Sequence, residues 1–397
     1  MKIGILTQSI NNNYGGILQN YALQTILRRM GHEVITLNWD SYHCDHAQET
    51  IWQKILIIAK TFVWRSIMRH KLNYPWEQKR LFYMMSVNNH KFIKNHLRIS
   101  KWLWSRKEFR KFILKNKIEV IIVGSDQTWR PKYNRNGMLY RMFLDFTKGL
   151  NIKRIAYAAS FGVDLWEYNN HETNICSKLI NKFDYVSVRE ESGVLLCKTY
   201  LNRNDVKWML DPTLLLPNED YINLLRLERA KQLNFGITTY ILDENNEKKQ
   251  LIQEIAKEKR MKVTSFVPKY CYLGTATKES IVEYTTPSVT EWLQAFYNAK
   301  YIICDSFHGT VFSIIFNKQF ITITNPNRGT ERFLSLLKRF GLENRLINQV
   351  SSDVINVLDT PINWTTVNAL RETLCQDCLT FIKETIATST NHEIKDA

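Results

Sequence analysis

Short apolar runs alternate along the chain with segments whose apolar residues recur at helical spacing. The stretch at 299–324 shows this clearly. It predicts a buried strand at 301–304, a polar turn at 305–309, a helix at 310–316 and a second buried strand at 320–324. A strand, a crossover helix and a further strand form the unit from which parallel sheets are built. The pattern therefore predicts an α/β fold.

The same alternation repeats on both sides of a restart near Asp211. The predicted strands are 2–8, 33–39, 118–123, 153–159 and 183–188 before it, and 235–242, 262–267, 301–304 and 320–324 after it. This repetition predicts two doubly wound, Rossmann-like domains that face each other across a cleft. We place the first domain at 1–205 and the second at 206–362. A final helix within 363–397 is expected to pack back on the first domain.

The turn at 305–309 carries a carboxylate, a hydroxyl, an imidazole and a glycine. These are Asp305, Ser306, His308 and Gly309. The turn lies where a strand ends and a helix begins, a place where unpaired N–H groups and the helix dipole favour anionic ligands. A lone histidine is more often structural, so the residues alone leave both a catalytic and a structural role open for His308.

A second group of polar residues follows the first predicted strand. Its members are Asn13, Tyr14, Gly15, Gly16 and Gln19. A helix is predicted at 17–30, so we expect the two glycines in the loop before it, as a tight turn or as a backbone cradle for an anion or a sugar. The spacing differs from GxGxxG, and a dinucleotide site therefore has little support.

A third polar group follows the strand predicted at 118–123. Ser125, Asp126 and Gln127 occupy the carboxyl end of that strand, where open sheets bind ligands. The alternative is a turn that caps a helix through the aspartate side chain. The residues fit either interpretation.

Three arginines near the ends of predicted elements are candidate anion holders. They are Arg189, Arg328 and Arg332. A guanidinium can hold a carboxylate or a phosphate through two parallel hydrogen bonds. For Arg189 the alternative is a surface salt bridge to Glu190 or Glu191.

Positive charge is concentrated in one part of the chain. The formal net charge is +16, and residues 51–117 hold 17 lysines and arginines against two acids, together with five of the eleven tryptophans. We treat 41–117 as a basic, aromatic insert in the first domain. Within it, 51–70 combines apolar residues at helical spacing with lysines and arginines on the other side, as interfacial membrane helices do.

The insert has three interpretations. The first is contact with an anionic membrane surface through 51–117. The second is an ordinary cover helix whose lysines are solvated. A nucleic-acid groove would use the same residue types, but no nucleic-acid-binding motif accompanies them, so we rank that interpretation last.

The chain has 397 residues, which is enough for two domains. Of these residues 44% are hydrophobic and 23% are charged, a composition typical of a soluble globular protein. The first seven residues read as a strand rather than a signal peptide. Seven scattered cysteines, an odd number, suggest reduced thiols. We therefore expect a cytoplasmic protein.

Cys375 and Cys378 have redox or zinc spacing, but they fall in a predicted helix without a second ligand pair, which favours a structural role.

Six blocks of this sequence resemble, in order, those of the polysaccharide pyruvyl transferase family. They are NYGGILQNYALQ from Asn13, VGSDQTW from Val123, AYAASFG from Ala156, SVREES from Ser187, DPTLL from Asp211 and DSFHGTVFSIIFNK from Asp305. Any one block is weak, whereas the ordered set is specific.

The resemblance implies a GT-B-like pair of domains and a defined reaction. An enolpyruvyl unit moves from phosphoenolpyruvate to two hydroxyls of a sugar, which gives a cyclic pyruvate ketal and releases phosphate. The resemblance implies no cofactor and no metal ion. His308 is then the candidate acid that protonates the methylene carbon, beside Asp305. The arginines are candidate holders of the donor, and the other residues named above are candidate substrate contacts.

One position departs from the family pattern. Many members have Arg-Leu-His where this chain has Ser306, Phe307 and His308, and that arginine is thought to help hold phosphoenolpyruvate. Ser306 supplies no positive charge. Arg328 or Arg332 is therefore expected to replace it, or the donor is held differently.

The expected acceptor is a sugar of a cell-surface or capsular polysaccharide precursor. The basic insert would suit a lipid-diphosphate-linked oligosaccharide, with the protein peripheral at the inner membrane face. Two other functions stay open. One is a GT-B glycosyltransferase that uses a nucleotide sugar, because a fold does not fix chemistry. The other is a polyanion- or membrane-binding module whose transferase site has decayed, with Ser306 as the first sign.

Overall fold

The computed structural model describes residues 1–39, 51–67, 72–135, 137–227, 235–267, 271–325, 328–349 and 353–388. Two parallel sheets form the framework of this part of the chain. The first contains β1 (Lys2–Leu6), β2 (Glu33–Thr36), β3 (Val120–Val123), β4 (Lys153–Ala159), β5 (Tyr185–Val188) and β6 (Lys207–Trp208). The second contains β7 (Phe235–Tyr240), β8 (Val263–Ser265), β9 (Ala299–Cys304), β10 (Gln319–Ile323) and β11 (Leu346–Ile347). The predicted pair of doubly wound sheets is confirmed. The first domain extends past its predicted end at 205, because β6 pairs with β5 in the first sheet.

Helices connect the strands and cover the sheets. Those before the sixth strand are α1 (Tyr14–Arg29), α2 (Ile51–Phe62), α3 (Pro75–Met85), α4 (Val87–His96), α5 (Arg106–Asn116), α6 (Met138–Met142), α7 (Asn170–Ile180) and α8 (Glu191–Leu201). Those after it are α9 (Pro212–Leu215), α10 (Asn218–Leu227), α11 (Asn246–Lys259), α12 (Lys278–Ile281), α13 (Val289–Asn298), α14 (Phe307–Ile315), α15 (Glu331–Phe340), α16 (Asp353–Asp359) and α17 (Trp364–Ala387).

In each sheet the winding direction changes between two central strands. The spatial order is β2-β1-β3-β4-β5-β6 in the first sheet and β8-β7-β9-β10-β11 in the second. The change therefore falls between β1 and β3, and between β7 and β9. Connections that leave the carboxyl ends of such neighbours run to opposite faces of the sheet, so a crevice opens there and ligands bind in it.

Local sequence explains most of these elements. All four residues of β3 are isoleucine or valine and all are buried, as expected for a parallel strand covered on both faces. The pattern Ser288-x-x-Glu291 predicts a capping box at the start of α13. It is present, because Ser288 Oγ accepts from Glu291 N at 3.1 Å and Glu291 Oε2 accepts from Ser288 N at 2.7 Å. The sequence pattern also predicts helices at 331–340 and at about 364–387, and these coincide with α15 and α17.

Two element predictions need correction. The helix predicted at 51–70 is α2 followed by a π-helical turn at Val63–Ile67, and its predicted end at 68–70 lies outside the described residues. The sequence pattern also predicts a long loop between 267 and Thr286, but the described part of this segment contains α12 and a 3-10 turn at Val282–Tyr284. The helix α12 begins with a threonine capping box that composition alone does not reveal.

The insert is a chain of helices, α2 to α5, that reaches both domains. Asn89 Nδ2 donates to Asn12 Oδ1 at 3.4 Å, in the loop after β1. Asn73 N donates to Gly274 O of the second domain at 2.6 Å. The insert therefore bridges the two domains. Among the described residues, no helix combines the length and the apolar character needed to cross a membrane.

Aromatic packing joins the domains. Tyr14, at the start of α1, stacks on Trp292 of α13 with ring centroids 5.5 Å apart, and its hydroxyl donates to Pro287 O at 2.6 Å. Tyr240 meets the edge of Trp292 at 5.4 Å. Such aromatic pairs contribute about 0.5–1.5 kcal/mol beyond the area that they bury. The structure thus places Tyr14, a predicted substrate contact, in the packing between the domains.

The helix α17 follows the second domain in sequence but packs on the first. Phe381 contacts the ring of Tyr157 in β4 at 6.4 Å. The buried Lys153 ammonium, also in β4, donates to Thr385 O at 2.9 Å and Ile386 O at 3.2 Å. Carbonyls in the last turn of a helix lack intrahelical partners, and they carry the negative end of the helix dipole. Lys153 therefore fixes the end of α17 to the first sheet.

Replacing Lys153 with methionine should loosen the end of α17, because the last-turn carbonyls would stay buried without a donor. We expect a local loss of about 1–3 kcal/mol. Hydrogen exchange of the peptide 375–388 should then be faster than in the wild type. Lys198→Met, an exposed position on α8, is the control and should leave this exchange unchanged. Equal exchange in the two variants would show that Lys153 does not hold the helix.

Candidate active site

A cavity of about 280 Å³ lies between the domains, where the two crevices face each other. Its wall is built from the segments that follow β1, β2, β3, β7, β9 and β10. Seven predicted site residues line it, which are Asn13, Asp126, Gln127, Ser306, His308, Arg328 and Arg332. The fold thus brings together side chains that lie far apart in sequence.

A larger groove of about 640 Å³ lies between α1, α9 and α17, and none of the predicted site residues lines it. Its wall is mainly apolar. The Arg371 guanidinium, which belongs to this wall, donates to the backbone oxygens of Leu214 and Leu216. These bonds fix the α9 segment to α17, so we place the candidate chemistry in the smaller cavity.

His308 lies in the first turn of α14, whose N-cap is Ser306. The imidazole packs on the start of α1 so closely that a Cβ added to Gly15 would lie 2.0 Å from His308 Nδ1. Gly15 and Gly16 belong to the first turn of α1, so their predicted position in a loop is wrong. Gly15 serves the site by leaving room for the imidazole.

The carboxylate that faces His308 is Asp211, and not the predicted Asp305. Asp211 Oδ2 lies 3.6 Å from His308 Nε2, close enough for charge attraction but too far for a hydrogen bond. Ser125 Oγ donates to the same oxygen at 3.0 Å, and Arg189 Nη1 donates at 3.1 Å. Burial raises the pKa of Asp211, but His308 and Arg189 outweigh it and hold the pKa below its usual range. Asp211 is therefore an ionised carboxylate beside the imidazole.

Asp305 is occupied by donors of the second domain. Its Oδ1 accepts from Leu242 N at 2.6 Å, and its Oδ2 accepts from Asp243 N at 3.1 Å. Lys248 Nζ donates to Oδ2 at 2.7 Å, and the Asp305 carboxylate is fully buried. The expectation that Asp305 lies beside His308 as a catalytic partner is wrong. Asp305 ties the loop after β7 and the helix α11 to the end of β9.

Arg189 forms the salt bridge to Glu190 that was considered as the alternative, but the pair is buried among further carboxylates and does not lie on the surface. Its guanidinium pairs with Glu190 at 3.1 Å, Asp211 at 3.1 Å and Asp126 at 3.5 Å, and it lies 4.0 Å from the ring centroid of Phe307. Burial lowers the pKa of Arg189, but these carboxylates outweigh it and hold the pKa above its usual range. The charge of Arg189 is thus neutralised within the protein, and direct contact with a ligand stays a prediction.

The other two predicted arginines differ in what surrounds them. Arg328 forms a bidentate pair with Asp243, with N–O distances of 2.8 and 2.9 Å, and this pairing lowers the pKa of Asp243 to about 2. Arg332 is 6% exposed, and its Nε has no hydrogen-bond partner among the described residues. Burial and the nearby Arg189 lower the pKa of Arg332 to about 10. A buried guanidinium with an unfilled donor is a ready site for an anion.

Asn13 and Gln127 line the cavity from the first domain. Asn13 is the N-cap position of α1, and its Nδ2 lies 3.5 Å from Asp126 Oδ2. Gln127 Oε1 accepts from Arg130 Nη1 at 3.2 Å. These contacts hold amide and carboxylate groups at the wall, where they can meet the hydroxyls of a ligand.

Three predicted contacts lie behind the wall instead. Ser125 N donates to Gln19 Oε1 at 3.0 Å, so Gln19 holds the loop after β3 in place through a buried hydrogen bond. Gly309 allows close packing inside the second domain, because a Cβ there would lie 3.0 Å from Cys304 Cβ. In this structure these residues shape the site, and their contact with a substrate stays a prediction.

Three helices begin at the cavity. The starts of α1 and α14 contribute Asn13 and Ser306, and Arg332 lies in the first turn of α15. The first N–H groups of a helix are unpaired, and the dipole is positive there. Together with the Arg332 guanidinium, these ends supply groups that can bind an anion, while Asp126 adds one carboxylate to the same wall.

Sequence reasoning missed Asp211 as a site residue. Asp211 follows the short strand β6, so the search for polar residues at the carboxyl ends of strands could have selected it. Because the strand pattern begins again near Asp211, the sequence analysis treated this residue as part of the boundary between the domains. Its closeness to His308 depends on how the two domains pack, which the sequence pattern does not reveal.

Comparisons with known proteins agree on fold and family. A family model described as "Polysaccharide pyruvyl transferase" matches residues 13–327. No curated protein matches the chain. Among solved structures, a UDP-GlcNAc 2-epimerase from Neisseria meningitidis bound to UDP-GlcNAc has a TM-score of 0.51 at 10% identity, with 97% of this chain and 99% of that chain covered. A glycosyltransferase from Rickettsia africae has a TM-score of 0.51 at 11% identity, with 98% and 99% covered. These structures confirm a GT-B-like fold.

Gly15→Ala should displace the His308 imidazole, whereas Gly16→Ala should not. Alanine is normally favoured over glycine in a helix by about 1 kcal/mol. At position 16 the new Cβ would lie 3.3 Å from Asn13 Nδ2, the end of a side chain that can shift. We therefore expect a lower thermal midpoint and shifted imidazole NMR signals for Gly15→Ala alone. Equal behaviour of the two variants would contradict the tight contact.

Proposed function

This chain belongs to the polysaccharide pyruvyl transferase family, and from that premise we propose that it transfers pyruvate from phosphoenolpyruvate to a sugar of a polysaccharide precursor. The product is a cyclic pyruvate ketal, and phosphate is released. The observation that carries this proposal is the pairing of His308 with Asp211 at a cavity that favours anions. Phosphoenolpyruvate carries both a phosphate and a carboxylate, so it suits such a cavity.

His308 acts as the acid in this proposal. Its imidazolium donates a proton to the methylene carbon of the donor, which becomes a methyl group and leaves positive charge on the central carbon. The first sugar hydroxyl adds to that carbon and gives up its proton, which restores the imidazolium. The ionised Asp211 carboxylate, 3.6 Å from Nε2, stabilises the charged ring. Asp211 is thus a positioning residue rather than a reacting group.

The second half of the reaction removes phosphate. The bond between the central carbon and the phosphate oxygen breaks, and phosphate leaves with the electron pair. The second sugar hydroxyl then adds to the same carbon, and its proton leaves with phosphate or solvent. Positive groups near the leaving oxygen stabilise its developing charge. The Arg332 guanidinium and the helix N-termini at the cavity are suited to this role.

The acceptor in this proposal is a glycan linked to a lipid diphosphate at the inner face of the cytoplasmic membrane. The basic insert supports this choice, because residues 51–117 carry nearly all of the net charge and bridge both domains at the cleft. An anionic diphosphate and an anionic lipid surface would both be attracted to this side of the protein.

The direct test is release of phosphate from phosphoenolpyruvate with galactoside and mannoside acceptors, followed by NMR detection of the ketal methyl group. We expect release only when donor and acceptor are both present. Turnover of a nucleotide sugar without any use of phosphoenolpyruvate would overturn the proposal in favour of a glycosyltransferase. Binding to polyanions without either activity would indicate a decayed transferase.

His308→Gln should lower phosphate release by roughly 10²–10⁴-fold, because the reaction would lose its acid. Donor binding should remain, since glutamine keeps a polar group of similar reach. His171→Gln, at an exposed position on α7, is the matched control and should retain full activity. Retention of turnover in His308→Gln would remove the imidazole from the mechanism.

Arg332→Gln should weaken binding of phosphoenolpyruvate by about tenfold or more in calorimetry, since a charge-assisted hydrogen bond contributes about 1.5–3 kcal/mol. Arg328→Gln is the matched control. It should have a smaller effect, because Arg328 already pairs with Asp243. A larger loss in Arg328→Gln would assign the anion to that arginine instead.

A further inference from the structure

Residues 51–67, comprising α2 and the π-helical turn that follows it, form an exposed segment of the insert. Its exposed large apolar side chains are Trp52, Ile55, Leu56, Ile58, Phe62, Val63, Trp64 and Ile67. None of the residues from 55 to 67 is buried. A helix that covers a protein core buries one apolar face, so this segment differs from the cover helix considered in the sequence analysis.

The apolar side chains of the exposed segment lie on more than one side of the helix. Successive residues are rotated by about 100°, so the neighbours Ile55 and Leu56 project in different directions. The same holds for Phe62, Val63 and Trp64. Contiguous apolar surface of this kind marks an interaction site in a soluble protein.

Polar contacts hold the exposed segment to the rest of the insert. Arg65 Nη1 pairs with Glu77 Oε2 at 2.8 Å, and the Arg65 guanidinium lies 5.2 Å from the ring centroid of Tyr74. Both partners lie at the start of α3. The next residue towards the segment, Asn73, bonds to the second domain. The exposed segment is therefore positioned relative to the cleft without being buried.

Charge determines which partner fits this surface. Residues 51–117 hold 17 basic residues and two acidic ones. Lys60 is exposed within the same segment, and the exposed Lys79 and Arg80 follow on α3. Apolar and indole side chains interleaved with lysines and arginines suit the interface of an anionic bilayer. A second copy of this chain would bring the same positive charge and would be repelled.

We propose that the exposed segment lies in the headgroup region of an anionic phospholipid bilayer, with its tryptophans at the boundary between headgroups and acyl chains. Lipid binding itself does not depend on the transfer reaction. The link to a lipid-linked acceptor does rest on the proposed function, because it supposes that the cleft works on a glycan held at that surface.

The test is flotation of the full chain with vesicles of pure phosphatidylcholine, and with vesicles of equal parts phosphatidylcholine and phosphatidylglycerol. We expect the wild type to float with the anionic vesicles and much less with the neutral ones. Leu56→Glu combined with Ile67→Glu should weaken that binding by at least about tenfold, because it removes two apolar contacts and adds two negative charges.

The matched control is Leu165→Glu combined with Val282→Glu. These side chains are 73% and 70% exposed, against 56% and 67% for Leu56 and Ile67, and the change in net charge is the same. All four positions are on the surface, so both variants should fold. The control should float like the wild type.

Three results would overturn the proposal. The first is that the wild type does not float with anionic vesicles. The second is that the segment variant and the control lose vesicle binding equally. The third is that the wild type does not bind vesicles but forms a dimer, which the segment variant no longer forms. The last result would assign the exposed segment to a second copy of the chain. His308→Gln should float normally, so a failure of lipid binding and a failure of the transfer reaction can be told apart.

Discussion

The buried carboxylate of Asp211 meets groups from both domains. Ser125 and Arg189 of the first domain donate hydrogen bonds to it, and His308 of the second domain lies 3.6 Å away. A charge at this depth is stable only while its partners remain in place, and loss of one partner of a buried pair costs about 3–5 kcal/mol. The position of α14 relative to β5 is therefore fixed by electrostatic attraction as well as by the aromatic packing between the domains.

Carboxylates pair with two of the three predicted arginines. Arg189 forms ion pairs with Asp211 and two further acids, and Arg328 forms an ion pair with Asp243. Arg332, at the cavity wall, has an Nε donor with no hydrogen-bond partner in the part of the chain that the structure describes. Under the proposed function, the loss of an arginine at position 306 does not leave the donor without a cation. The cation comes from a different helix, which begins after β10.

Much of the fold could be predicted because single runs of residues determine it. The Val-Ile-Ile-Val run of β3 is apolar throughout, and the capping box of α13 needs only Ser288 and Glu291. The site was predicted in part, because polar residues at strand ends converge by topology. Whether each of those side chains faces the cavity depends on tertiary contacts, which a local sequence pattern does not show. Asp305 follows a strand as His308 does, yet donors from α11 and the loop after β7 occupy it.

The exposed segment illustrates the same limit. Periodicity predicted a helix there, and a helix is present, but periodicity does not report whether another element covers it. Charge counting singled out the insert because 17 basic residues in one region stand out whatever the fold. The contacts that carry the insert across to the second domain, such as Asn73 with Gly274, join residues that no local pattern connects.

The docking of α17 on β4 has a consequence for how the chain matures on the ribosome. The strands of the first sheet are synthesised long before α17, and domains generally fold in the order in which they emerge. Until α17 arrives, the Lys153 ammonium lacks the helix carbonyls that it bonds in the finished protein, and Tyr157 lacks the ring of Phe381. The contacts between β4 and α17 can therefore form only after translation has passed the second domain.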